Sequence, residues 1–260
     1  MVSRIESREN KTIKAIKKLK RKSCRLEERR FIAEGKKIVL EAFLYVPSDV
    51  SMVVVTDSFL EKEPEFLEKA QTVCEKIYIV SESIFTDISD TDTPQGVMAV
   101  IEMNNCEFSP KDDTKTIVIL DGVSEPGNMG TVIRTAEALG FDGIYITKGS
   151  ADIYSPKTVR STMGSVFRMK FKNNCVIEDI NALKDNGFSV VATTPDCDIY
   201  LENFKTPSKV AVVIGNEAHG VCEEVLNVAD FKVKIRMDGL AESLNAAVAA
   251  GIAMHWIKNH

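Results

Sequence analysis

Residues 116–139 read TIVILDGVSEPGNMGTVIRTAEAL and contain one complete structural step. Thr116, Ile117, Val118, Ile119 and Leu120 form a short apolar run that suits a strand buried on both faces. Asp121, Gly122, Ser124, Glu125, Pro126 and Gly127 break that run as a loop, and a helix is predicted over 129–139. Downstream, strands are predicted over 143–147, 188–193, 210–215 and 231–235. Helices near 156–164, 177–186, 222–228 and 242–257 separate them. Such alternation implies a mainly parallel sheet covered on both faces. In a sheet of that kind ligands sit at the carboxyl ends of strands, so the loops there are where a site is sought.

Upstream, residues 104–115 are polar, carry Pro110 and read as a linker. Before it stands a smaller α/β unit. Ile13, Ile16 and Leu19 recur amid lysines in a short amphipathic helix over 9–22. A second helix is predicted over 27–43, with Phe31, Ile32, Ile38, Val39 and Phe43 as core residues. A strand at 52–56, a helix at 65–74 and strands at 76–80 and 97–102 complete the unit. The expected division is therefore residues 1–103, a linker at 104–115, and a larger α/β domain at 116–260.

No apolar run in the 260 residues approaches the roughly 18 needed to span a membrane. The basic N-terminus is not followed by the apolar stretch of a signal peptide, so a soluble, cytoplasmic protein is expected. Six cysteines stand singly and three histidines lack ligand spacing, which predicts reduced thiols and no metal. The net charge of −5 hides an asymmetry: residues 1–38 carry fourteen Lys or Arg against five acids, a balance of +9, leaving −14 elsewhere. Lys14, Lys17, Lys18, Lys20, Arg21 and Lys22 crowd one segment, a pattern that fits contact with nucleic acid or an anionic membrane. Charge alone leaves a merely solvated helix face equally open.

Three strand-end segments hold the richest glycine and polar content. The first carries Asn128, Gly130 and Arg134, where Asn128 could be only a helix cap and Arg134 only a surface residue. The second is Gly215, Asn216, Glu217, Ala218, His219 and Gly220, whose glycines leave backbone groups free for a ligand. The third runs from Ile235 and Arg236 through Met237 to Ser243, Leu244 and Asn245, then into a helix of small residues.

Together and in this order, N-x-G-x-x-x-R at 128–134, G-x-E-x-x-G at 215–220 and S-L-N at 243–245 resemble the three motifs of the SpoU family of RNA 2′-O-methyltransferases in the SPOUT superfamily. The resemblance covers residue 116 to the end. The first hundred residues are similar to the small α/β RNA-binding domain often joined to these enzymes, through Phe31, Glu34, Gly35 and Thr93-Pro94-Gln95-Gly96. Two departures stand out. Arg236 replaces a usual proline, and Ala218-His219 occupies a place where glycine often stands.

The resemblance implies a trefoil-knotted catalytic domain, a homodimer formed through it, and S-adenosylmethionine as cofactor. It places the cofactor against Gly215, Asn216, Gly220, Ile235, Met237 and Leu244. It gives the chemistry to Arg134, with Asn128, Glu217, Ser243 and Asn245 around it. Arginine is not deprotonated in proteins, so Arg134 is read as a fixed charge that stabilises an emerging alkoxide. Lys157 and Arg160 join the basic N-terminal residues as RNA contacts. Ribosomal RNA is favoured over transfer RNA as substrate. A non-catalytic RNA-binding or ribosome-assembly protein that keeps the fold is the main rival. A Rossmann dehydrogenase or P-loop kinase is disfavoured by missing glycine-rich fingerprints.

Overall fold

The computed structural model describes residues 1–103 and 107–260, so Cys106 and the start of the expected linker lie outside the described residues. It divides into two compact units. One comprises the N-terminal residues together with Asp152–Arg168, and the other the remainder.

The first unit is built from β1 (Val2–Ile5), α1 (Lys11–Lys18), α2 (Lys22–Glu28), β2 (Arg30–Glu34), α3 (Lys36–Tyr45), β3 (Val50–Thr56), α4 (Asp57–Lys62), α5 (Phe66–Val73), β4 (Ile77–Val80), α6 (Glu82–Ile88) and β5 (Val97–Glu102). Its sheet runs β1-β4-β3-β5-β2 and is mixed: β5 is antiparallel to both β2 and β3. The apolar stripe read from the sequence is real. Ile13, Ile16 and Leu19 are buried against Ile84, Phe85, Ile88 and Val100, each such side chain contributing roughly 1.5–3 kcal/mol.

The helix expected over 27–43 does not form as one piece. Arg29 ends α2 at φ 52°, and Gly35 precedes α3 at φ 106°, so two left-handed positions isolate the strand β2. Phe31 and Ile32 are core residues as expected, but from a strand paired with β5, some seventy residues away. Arg25 is also internal. Its guanidinium donates to the carbonyls of Leu19 and Lys20 at 2.8 Å and to Asp152 Oδ2 at 2.6 Å.

The second unit begins with β6 (Thr116–Leu120), α7 (Pro126–Ala138) and β7 (Gly143–Thr147). After α8 (Pro156–Thr162), which belongs to the first unit, come β8 (Phe171–Cys175), α9 (Ile177–Asp185), β9 (Ser189–Thr193) and β10 (Ile199–Tyr200). The chain ends with β11 (Val210–Ile214), α10 (Glu223–Val228), β12 (Phe231–Lys234) and α11 (Ala246–Asn259). All seven strands are parallel, in the order β10-β12-β9-β11-β6-β7-β8.

One sheet face buries Ile117, Ile119, Val190, Ala211 and Val213 against Ile180, Leu183 and Val225. Period-two alternation leaves Val118, Leu120, Val212 and Ile214 on the opposite face. There α11 packs on α7 and on β11, its buried Ala247, Ala250 and Ala253 permitting close approach. Phe108, from the stretch expected as linker, belongs to this unit's core. Its N–H donates to Phe171 O at 2.8 Å, and its ring fills the space above Gly143, where a β-carbon would meet it at 2.1 Å. Buried Cys175 is of the inert kind, its thiol pushed up to about 12 by burial.

Candidate active site

The pairing of β6 with β11 sets the site. Leu120 lies opposite Ile214, and Asp121 N–H donates to Ile214 O at 2.8 Å, so the loops after the two strands start level. The second loop is closed by a bridge in which Asn216 and Gly220 exchange backbone hydrogen bonds of 2.8 and 2.9 Å. Gly215 has to be glycine, because a β-carbon would stand 2.2 Å from the Gly220 carbonyl carbon. Asn216 staples both loops: its Nδ2 donates to Gly122 O at 2.7 Å, while Oδ1 accepts from Ala218 and His219 N–H. Neither Ala218 nor His219 has positive φ, so the missing glycine costs no backbone strain.

This turn aims Glu217 at the start of α7. Its Oε2 accepts from Ser124 N at 3.0 Å and Ser124 Oγ at 2.9 Å. Oε1 accepts from Glu125 N at 3.1 Å and Asn128 Nδ2 at 2.9 Å. Burial alone would raise this carboxyl, but the hydrogen bonds from Asn128, Ser124 and Glu125 outweigh it and hold it at about 2. A group so acidic is a fixed anion, not a proton acceptor near neutral pH.

Asn128 is not the cap of α7. Glu125 is, accepting from Asn128 N at 2.6 Å, with Pro126 at the first helical position. The Asn128 side chain is thereby free to bridge. With its amino group on Glu217, its Oδ1 faces the third segment and accepts from Asn245 Nδ2 at 3.0 Å. Asn245 in turn caps α11, its Oδ1 accepting from Ala247 and Val248 N–H. The helix predicted from 242 therefore begins at Ala246, which leaves Ser243 and Leu244 in the loop.

The two helices run side by side in one direction. Asn245 meets Asn128 at their N-termini, Gly251 approaches Thr135, and Lys258 Nζ reaches Gly140 O at 2.8 Å at the far end. Two positive helix ends thus converge where the three segments meet, a field that favours developing negative charge. Arg134 lies exposed on α7, six residues beyond Asn128.

Of the residues singled out from sequence, Asn128, Glu217 and Asn245 form one hydrogen-bonded chain. Ser243 has no hydrogen-bond partner among the described residues. Ser124 and Glu125 belong to the constellation and escape a sequence reading, although Pro126 marks Glu125 as a capping position. Arg236 is held beside β10, its Nε on Glu202 Oε1 at 2.5 Å and its guanidinium 4.1 Å over the Tyr200 ring. That arrangement gives the arginine a local role in place of proline.

The segments fit an adenosine-bearing cofactor. Met237 and Leu244 are exposed apolar side chains in the loop after β12. Among the described residues, backbone groups from 236 to 244 engage no other segment, leaving donors and acceptors for a ligand. In the first unit, Lys14 pairs with Glu9, Lys17 with Asp87 at 2.6 Å, and Arg160 with Asp90 at 2.9 Å, while Lys20 donates to the carbonyls of Asp87 and Ser89. Lys18, Arg21 and Lys22 are exposed and make no ion pair among the described residues, and Lys157 is also exposed.

Comparison with known proteins agrees with this geometry. Residues 115–255, more than half of the chain, match the SpoU rRNA Methylase family. The chain belongs to that family. Residues 10–99 match the MRM3-like substrate binding domain. The Bacillus subtilis 23S rRNA (guanosine(2553)-2′-O)-methyltransferase RlmP is 32% identical over 99% of this chain and 100% of its own length. An AdoMet-bound rRNA methyltransferase from Sinorhizobium meliloti superposes with a TM-score of 0.87 at 31% identity, over 100% of this chain and 98% of the other. A solved RNA 2′-O ribose methyltransferase gives 0.83 at 29%, over 98% and 97%. The expectation of an S-adenosylmethionine-dependent RNA 2′-O-methyltransferase carrying an N-terminal substrate-binding domain is borne out.

Proposed function

We propose that this SpoU methylase methylates a ribose 2′-hydroxyl of 23S ribosomal RNA, with Arg134 as the catalytic charge. The observation that carries the reading is the chain Glu217–Asn128–Asn245, which ties all three motif segments together at the N-termini of α7 and α11. When bound, S-adenosylmethionine supplies a methyl group on a sulfonium, open to in-line displacement by the sugar oxygen. Gly215, Asn216, Gly220, Ile235, Met237 and Leu244 would hold it. The Arg134 guanidinium would stabilise negative charge growing on the oxygen while the hydroxyl proton passes to solvent water. Asn128 and Asn245, locked by Glu217, keep the helix ends fixed so that no reorganisation is needed during reaction.

The ribosomal substrate is supported by the Bacillus subtilis relative and by the basic end of the N-terminal unit. A cytoplasmic location follows from such a substrate. A homodimer is supported by Val248 and Ile252, exposed apolar side chains four residues apart on α11 that a second copy would cover. The trefoil knot is supported by the strand order around β12, which lies between β10 and β9 and then leads back to α7 through the loop before α11.

The test is transfer of labelled methyl from S-adenosylmethionine to ribosomal RNA taken from cells lacking the gene. Wild-type protein should label it and Arg134→Ala should not, while the variant still binds cofactor in a titration. Retention of most activity by Arg134→Ala would overturn the assignment.

A further inference from the structure

A second feature of the catalytic unit adjoins the stapled loops described above. A cavity of about 580 Å³ opens at the carboxyl ends of β6, β7, β8 and β11, within the range of small-ligand sites. Of the residues expected around the cofactor, Asn216 and Gly220 stand at its edge, whereas Ile235, Met237 and Leu244 do not line it. Its apolar walls are Ile177, Ile180 and Val225. Its floor holds Asp121, which is buried, at 7% exposure, and has no ion-pair partner among the described residues. Asp121 Oδ1 accepts from Thr147 Oγ1 at 3.1 Å and Oδ2 from Cys222 N at 2.7 Å. Each carboxylate oxygen can accept a further hydrogen bond, so the floor offers a pair of acceptors side by side.

The charges select the ligand. Glu178 and Glu224 add to Asp121, against Lys148 at the rim, which disfavours a phosphate and favours a neutral group rich in N–H donors. Among the RNA bases only guanine presents two adjacent donors, N1–H and N2–H, on one edge. On its other edge O6 and N7 are the acceptors that lysine reads. Apolar walls suit an unstacked base, the usual object of RNA sequence recognition.

The cavity lies on the α9 and α10 face of the sheet and meets the catalytic loops at its rim. Gly122 and Asn216 line it and are joined by the 2.7 Å bond, and the residues just beyond them, Ser124 and Glu217, belong to the catalytic network. The Bacillus subtilis relative acts on a guanosine.

We infer that this cavity takes the guanine of the nucleotide being methylated, with Asp121 reading N1–H and N2–H and Lys148 reading O6 and N7. The inference rests on the methyl-transfer reading and adds the base to it.

The experiment first maps the nucleotide labelled by the wild-type protein on ribosomal RNA from cells lacking the gene. Synthetic RNAs spanning that position then carry guanosine, inosine or 7-deazaguanosine, and each is assayed with wild type and Lys148→Ala, a change on an exposed loop. The mapped nucleotide should be guanosine. Inosine, lacking the 2-amino group, should lower kcat/KM at least about tenfold. Lys148→Ala and 7-deazaguanosine should each lower it, and together should do no worse than either alone. Methylation of another nucleotide, or equal use of all three RNAs, overturns the cavity assignment while methyl transfer stands. No labelling of any RNA by the wild type would instead bring down the reading beneath it.

Discussion

Asn128 Nδ2 lies 2.9 Å from Glu217 Oε1, and this bond decides which way the asparagine faces. A carboxylate cannot donate, so the amino group must point at Glu217 and the carbonyl at Asn245. Glu217→Gln breaks that logic by placing an amino group among four donors. The expected result is a fall in methyl transfer of roughly 10- to 100-fold, since hydrogen bonds to a charged group are the stronger kind.

The same carboxyl gives a pH prediction. Its folded value near 2 lies below the ordinary 4.5, so its contribution to stability is complete above about pH 4.5 and is lost as pH falls through 2. Urea unfolding between pH 5 and pH 2 should show a slope that Glu217→Gln flattens. An identical slope in the variant would mean that Glu217 is not the group holding the loops together.

How much of this is legible in the sequence follows from the range of the forces involved. The strand Thr116–Leu120 and its loop are local signals, an apolar run stopped by glycine and proline; the structure places the strand as predicted and starts the helix three residues early, at Pro126. β2 reads as helix because Phe31, Ile32, Ile38 and Val39 also satisfy a helical stripe. Its strand partner β5 is distant, and the break at Arg29 uses a residue type that rarely adopts positive φ. β8 escapes a sequence reading because FKNNC is polar in its middle, as an edge strand can be. In the site, the motif residues are visible, but their joining through Glu217 and the role of Ser124 depend on register between β6 and β11, which no local pattern encodes.

Gly143 and Phe108 form a shape-matched pair. Gly143→Ala sets a methyl 2.1 Å from a ring carbon, closer than any packing allows, so the ring must move. The expected cost is about 1–3 kcal/mol in denaturant unfolding. Phe108→Leu should relieve part of it in the double variant, whereas strict additivity would show that the two residues do not meet.

Arg25 and Asp152 are a buried pair in the first unit, with side-chain exposures of 3% and 14%. Arg25→Ala strands the carboxylate and also leaves the Leu19 and Lys20 carbonyls unpaired. The loss should reach about 3–5 kcal/mol, measured by thermal or denaturant unfolding. Arg25→Met with Asp152→Leu, which removes both charges and keeps apolar volume, should recover much of it.

The basic N-terminal residues separate by partner. Lys17 already faces Asp87, so an approaching phosphate would have to compete with a carboxylate for it. Lys18, Arg21 and Lys22 have no such competitor among the described residues and release counterions when they meet RNA. Replacing these three by alanine should weaken RNA binding and reduce the slope of log affinity against log salt by roughly 2, since each phosphate neutralised on a single strand accounts for about 0.7 of that slope. Lys17→Ala should change the slope much less. Filter binding over a salt series would measure both, and equal effects from the triple and the single variant would show that pairing within the domain does not decide which cations bind RNA.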